Sequence, residues 1–186
     1  MPDSRQPAAQ TRPRGARMAR WLALAVAIVI LDQITKIYFD GAFRYGERVN
    51  LLPFFDFTLV YNPGAAFSFL ADGQGWQRWL FTVIALSAVG LILHLLRKHP
   101  DQPLFCTALA MILGGAVGNL IDRVQHGHVV DFLLFYWNSW HFPAFNVADI
   151  GITCGAALLI LDELRRMRRE RARRARANDA SADDAS

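Results

Sequence analysis

The chain has 186 residues, of which 53% are hydrophobic, yet it carries 20 Lys+Arg and a net charge of +4. Apolar runs of about 18 residues, each long enough to cross a bilayer, recur along it, and a soluble domain of this size rarely holds several of them. The basic residues are segregated: five Arg lie in residues 1–20, Arg97 and Lys98 sit between two apolar runs, and eight Arg fall within 165–176. This pattern excludes an ordinary soluble domain and points to a polytopic membrane protein. Cys106 and Cys154 lie inside apolar segments and do not form a disulfide framework.

Residues 1–20 are rich in Pro, Arg, Ala and Gln without apolar periodicity, which predicts a disordered cytoplasmic tail. Trp21 to Phe39 is the first apolar run. A cleavable signal peptide is the competing reading, but Asp32, Gln33 and Lys36 stand where small residues would precede a cleavage site, so a retained helix is expected. Asp32 and Lys36, four apart, share a helix face and can pair. Such a pair is either a buried ion pair at the helix end or support for a site near it.

Residues 40–75 are too polar and too punctuated to span. Within them, Phe54 to Tyr61 is aromatic and β-branched, which predicts a short strand with Phe55, Phe57, Leu59 and Tyr61 on one side. Asn62-Pro63-Gly64 is a turn signal, and shaping that turn is a sufficient role for Asn62. A small sheet lying on the bilayer is expected here, its aromatics at headgroup level.

Trp76 to Leu96 is the second span and Leu104 to Ile121 the third, joined by a tight connection through Pro100 and Pro103. In the third, Gly114 and Gly118 form a small-xxx-small pair that admits a neighbouring helix. Gly115, Asn119 and Asp122 follow at helical spacing, so one face turns from small to polar to acidic. Arg123 beside Asp122 is a candidate interfacial ion pair. Residues 124–145 form a second extramembrane connection, with Asp131 inside the apolar run Val129–Leu134. Val147 to Leu161 is a short fourth span, entered past Asn146 and carrying Asp149.

The positive-inside rule places both termini and the 97–99 loop in the cytoplasm, which requires an even number of spans. Four fit. Asp32, Asn62, Asp122, Asp131, Asn146 and Asp149 then converge at the opposite face. Ionisable groups at the edge of a membrane segment are costly and mark function. No Gly-x-Ser-x-Gly elbow is present, and neither cysteine has a partner. His126, His128 and Asp131 suggest a metal cluster only weakly, since no His-Glu-x-x-His pair exists; loop histidines are the simpler reading. A carboxylate pair remains: one member charged and able to take a proton from water, the other protonated and able to polarise an amide carbonyl. On the residues alone Asp122, Asp131 and Asp149 are all candidates.

Gly118-Asn119-x-x-Asp122-Arg123, Val130-Asp131-Phe132 and Phe145-Asn146-x-Ala148-Asp149 together resemble the lipoprotein signal peptidases (signal peptidase II) of bacteria. Asp32-Gln33-x-x-Lys36 and Asn62-Pro63-Gly64-Ala65-Ala66-Phe67 are similar to further blocks of that family. The resemblance covers roughly residues 18–165. It implies a cofactor-free aspartic endopeptidase of the inner membrane, cutting prolipoproteins before a diacylglyceryl-modified cysteine. Asp131 and Asp149 match the catalytic pair. Asp32, Lys36, Asn62, Gly64, Asn119, Asp122, Arg123 and Asn146 match positions that shape the site or hold substrate. No metal is implied.

The expected fold is therefore an α-helical polytopic membrane protein with four transmembrane helices and a small β-rich region on the non-cytoplasmic face. Residues 1–20 are expected as a basic tail, 21–163 as the membrane peptidase domain and 164–186 as an Arg-rich cytoplasmic tail. Expected partners are diacylglyceryl-prolipoprotein substrates and membrane lipid, with no nucleic acid, and the chain is expected to act as a monomer. A transporter would string its ionisable residues along a route through the membrane, and a scaffold would need no convergent carboxylates. The signatures of presenilin-type aspartic proteases are missing.

Overall fold

The computed structural model describes residues 14–64 and 75–183. Four helices and four strands follow in the order α1 (Arg14–Ala42), β1 (Arg48–Leu52), β2 (Phe55–Asn62), α2 (Trp76–Lys98), α3 (Pro103–Gln125), β3 (Val129–Trp137), β4 (Trp140–His141) and α4 (Val147–Asp183). Three helical stretches are long and apolar enough to cross a membrane: Arg17–Ala42, Trp76–Lys98 and Pro103–Gln125. The fourth expected span is not among them. Its apolar run ends at Asp162 and Glu163, and the same helix then continues through the arginines.

The helices are longer than their apolar runs. α1 already begins at Arg14, ahead of Trp21, and α4 is one helix of 37 residues. Proline and capping set the tight α2–α3 corner: the His99 N–H donates to Leu95 O, and Pro103 opens α3, where a missing N–H costs nothing. Outward faces of α1 and α2 display Val26, Ile30, Ile34, Ile37, Val83, Ile84 and Leu91 to the surroundings. An apolar belt of that extent suits lipid rather than water.

α3 is the central helix, packed on α1, α2 and α4. Its glycines set the spacing. A Cβ on Gly115 would strike the Ala148 carbonyl, and one on Gly118 would strike the Asp32 carboxylate. The expected close approach at Gly114 and Gly118 is thus made by α1, while Gly115 admits α4. Away from these glycines the three spans lock through Trp21, Ala25, Ile92, Leu96, Cys106, Leu109, Ala110 and Leu113. Both cysteines are free.

The strands form one antiparallel sheet in the order β1-β2-β3-β4. The strand expected over Phe54–Tyr61 is β2, and Pro53-Phe54 makes its turn back to β1. Between Phe57 and Val60 the register with β3 shifts, so the simple alternation of Phe55, Phe57, Leu59 and Tyr61 does not hold: Asp56, Thr58 and Leu59 are the buried members. The connection expected over 124–145 contains a strand of its own, β3, which pairs Asp131 with Val60. Phe145 adds a bridge to Leu133, exchanging backbone bonds of 2.9 and 3.0 Å. That bridge delivers the start of α4 to the side of β3.

Candidate active site

The site is built where α4 begins. Asn146 caps the helix: its Oδ1 accepts from the Asp149 N–H at 3.0 Å, and its own N–H donates to Asp149 Oδ2 at 3.3 Å. This reciprocal arrangement satisfies two donors that a helix start leaves open, and an acidic side chain suits the positive end of the helix dipole. Asp149 is thereby anchored in the first turn. The Asn146 amide, facing the other way, donates to Asp131 Oδ1 at 2.7 Å and to Asn119 Oδ1 at 3.2 Å.

Asn119 completes the link. Its Oδ1 accepts from Lys36 Nζ at 2.9 Å, which leaves its Nδ2 to donate to Asp149 Oδ1 at 2.8 Å. Asn62 holds the other oxygen of Asp131, donating from Nδ2 to Oδ2 at 3.1 Å, while its Oδ1 accepts from the Gly64 N–H at 3.0 Å. The turn-shaping role of Asn62 is therefore real, and it is also what aims the amide at Asp131. Asp131 and Asp149 are bridged by the Asn119–Asn146 pair and line the same cavity.

Beneath them lies a buried charge cluster. Lys36 Nζ is 2.8 Å from Asp32 Oδ2 and 2.9 Å from Asp122 Oδ2, and all three side chains are nearly inaccessible. Asp32 Oδ1 also accepts from the Ala148 N–H at 2.8 Å, satisfying another open donor of α4. Asp122 accepts from Gln33 at 2.9 Å and from the Val130 N–H at 3.1 Å. One cluster thus ties α1, α3, β3 and α4 together directly under the candidate pair.

The ion pair expected between Asp122 and Arg123 is not formed. Successive helical residues point about 100° apart, so Asp122 faces inward to Lys36 while Arg123 faces the cavity. Its guanidinium donates to Gly64 O at 3.1 Å and Asn119 O at 3.3 Å, and lies 5.1 Å from the Phe81 ring centroid. Its Nε is buried without a partner. Among the described residues no group of three His, Cys, Asp or Glu side chains could hold a metal. His128 instead packs its ring on Tyr61, centroids 4.4 Å apart.

The cavity has a volume of about 410 Å³. Its polar floor is Asn62, Asn119, Arg123, Asp131 and Asp149; its wall is apolar, with Phe142, Phe145, Ile150 and Ile152 prominent. Asp131 is the more enclosed carboxyl. Burial, then the nearby charge of Asp149, pushes its pKa up to about 7, against the opposing hydrogen bonds of Asn62 and Asn146. A carboxyl so placed can hold a proton near neutrality.

Every candidate residue is within this assembly, including Lys36 and Gly64. Gln33 and Phe145 stand within the motif blocks without a role of their own. Gln33 lies between Asp32 and Lys36 and Phe145 precedes Asn146, so both had a local signal; the place of Phe142 in the cavity wall had none, because only the fold brings 142–145 to α4.

A profile described as "Signal peptidase (SPase) II" matches residues 24–165. The lipoprotein signal peptidase of Paraburkholderia phymatum is 55% identical over 161 residues, spanning 87% of this chain and 97% of its own. That of Cupriavidus necator is 54% identical, spanning 87% of this chain and 99% of its own. A solved structure described as a bacterial membrane enzyme, determined by the in meso method, superposes with a TM-score of 0.71 at 31% identity, covering 79% of this chain and 88% of that one.

Proposed function

The chain belongs to the signal peptidase II family of proteases, and on that premise we propose that it removes the signal peptide from prolipoproteins, cutting before the diacylglyceryl-modified cysteine with Asp131 and Asp149 as the reacting pair. The observation that carries this reading is the pairing of two carboxyls through the linked amides of Asn119 and Asn146 at one apolar-walled cavity.

In the proposed reaction Asp149 takes a proton from water, and the water oxygen bonds to the scissile carbonyl carbon. Asp131, holding its proton, donates a hydrogen bond to the carbonyl oxygen as negative charge builds there. The proton on Asp149 then passes to the amide nitrogen, the C–N bond breaks, and a carboxylic acid and an amine leave. Arg123, fixed by two carbonyl acceptors, is placed to hold substrate backbone, with Asn62 and Gly64 shaping that edge.

The first turn of α4 lies at the outer membrane surface in this reading, with α4 as a fourth span and both termini cytoplasmic. The basic starts and ends of the helices lie together: Arg17 at the start of α1 pairs with Asp101 in the α2–α3 corner. Residues 1–20 and 164–186 are then basic cytoplasmic flanks around the peptidase domain. The chain acts as a monomer on substrate held in lipid. The lipidated end is expected against the aromatic strand β2 and the turn after Asn62, of which residues 65–67 lie outside the described residues.

Acyl chains contribute about 0.8 kcal/mol per buried CH₂, a sum that over a whole chain exceeds what a few peptide hydrogen bonds offer for positioning. Labelled prolipoprotein with and without its diacylglycerol, incubated with the purified enzyme in one bilayer, tests this. Cleavage of the lipidated form, its loss in Asp131→Asn and Asp149→Asn, and poor cleavage of the unlipidated form are expected. Either variant turning over at the wild-type rate would remove that aspartate from the reaction.

A further inference from the structure

The Arg-rich run at the end of α4 takes no part in the site, and its placement gives it a partner. α4 is unbroken from Val147 to Asp183. At 1.5 Å per residue, the stretch from Val147 to Leu164 is roughly 27 Å long, close to the thickness of a bilayer's hydrocarbon. Arg165 therefore falls where headgroups begin, a placement that rests on the four-span topology proposed above.

From 165 to 176 the chain carries eight Arg against one Glu. Arg165, Arg169 and Arg173 recur every four residues and share a helix face. Residues 163–175 are all exposed, so none of these guanidinium groups is taken up by the rest of the protein's interior. Glu163 and Glu170 both lie on Arg166, at 3.1 and 3.8 Å, and leave the three-Arg face unopposed. The surface continues across the same end of the molecule through Arg97 and Lys98 in the last turn of α2 and Arg20 over Trp21 on α1.

We propose that this face docks on the anionic headgroups of the cytoplasmic leaflet. The chemistry selects phosphate: guanidinium forks match its oxygens two at a time. The geometry selects lipid, because Arg165 starts at headgroup depth and Arg169 and Arg173 follow about 6 and 12 Å further along the helix, their side chains tilted back toward its membrane-side end. Met167 is the one large apolar side chain in 165–176, so a protein partner is offered no apolar seat. Nucleic acid is the rival occupant.

The test uses the purified full chain in micelles with equal amounts of phosphatidylglycerol and phosphatidylcholine, the retained lipids counted by native mass spectrometry. Wild type should retain phosphatidylglycerol preferentially. A variant with Arg165, Arg169 and Arg173 changed to Gln should lose about tenfold of that preference, each basic group being worth roughly fivefold at an anionic surface before screening. Preference unchanged in the variant, or phosphatidylglycerol displaced by a short RNA at equal phosphate, would overturn the proposal. Cleavage by the variant in phosphatidylcholine should equal wild type. Loss of cleavage by the wild type would instead sink the peptidase reading, and outside labelling of Ala172→Cys would sink the topology.

Discussion

Replacing Lys36 with Met tests whether the site rests on the buried cluster. The ammonium lies within 2.9 Å of two carboxylates and one amide oxygen, and it is 3% exposed. Methionine keeps most of the volume and deletes the charge. Asp32 would retain the Ala148 N–H, and Asp122 the Val130 N–H and Gln33, but their mutual repulsion would be unshielded in a dry setting. Breaking a buried ion pair from one side costs about 3–5 kcal/mol. For a chain of this length that corresponds to a fall in Tm of roughly 10 °C. The assay is thermal unfolding of the purified protein in one detergent, with Asp122→Asn and the double variant alongside. The double variant should be less unstable than the two single losses combined, by about 1–3 kcal/mol, since the second change removes a charge already stranded. A Lys36→Met protein within 1 kcal/mol of wild type would refute the reasoning.

Stability should also depend on Asp131. Its pKa is raised in the folded protein, so the folded state holds the proton more tightly; stability from this group is complete below pH 3.8 and is lost as pH rises through about 7, a total of roughly 4 kcal/mol. Denaturant unfolding from pH 5 to 8 should show that decline, and Asp131→Asn should flatten it. Cleavage should likewise fall on the alkaline side of about 7 as Asp131 loses the proton that hydrogen-bonds the carbonyl oxygen, read as kcat/KM against pH. Gly118→Ala places a methyl against Asp32, itself pinned by Lys36 and the Ala148 N–H, and should cost about 1–3 kcal/mol and lower turnover. An impermeant thiol reagent applied outside the membrane should reach a cysteine placed at 50 or 138 and miss one at 98; labelling at 98 would reverse the orientation.

Much of the molecule was legible in the chain because its signals are local. Apolar runs read as helices wherever the run is long, and α1, α2 and α3 follow them. The i,i+4 pair Asp32–Lys36 and the Gly114–Gly118 approach follow from helical spacing alone. The motif blocks named the candidate residues and the family together. Tertiary structure decided what those residues touch. Lys36 takes Asp122 as its partner, and Arg123 turns to the cavity, because the ring of elements around α3 assigns an inside and an outside to neighbouring positions. β3 became a strand only through pairing with β2, since a short apolar run carries no period that distinguishes it from a loop. The asymmetry of the two aspartates is the last such case. Asp149 sits at the start of α4 and Asp131 in a buried strand, and the burial that raises the Asp131 pKa comes from elements distant in sequence: β2 pairs with β3 there, and Asn62, 69 residues away, hydrogen-bonds the carboxyl and opposes the shift. Burial depends on what surrounds a side chain in space, and no local pattern records it.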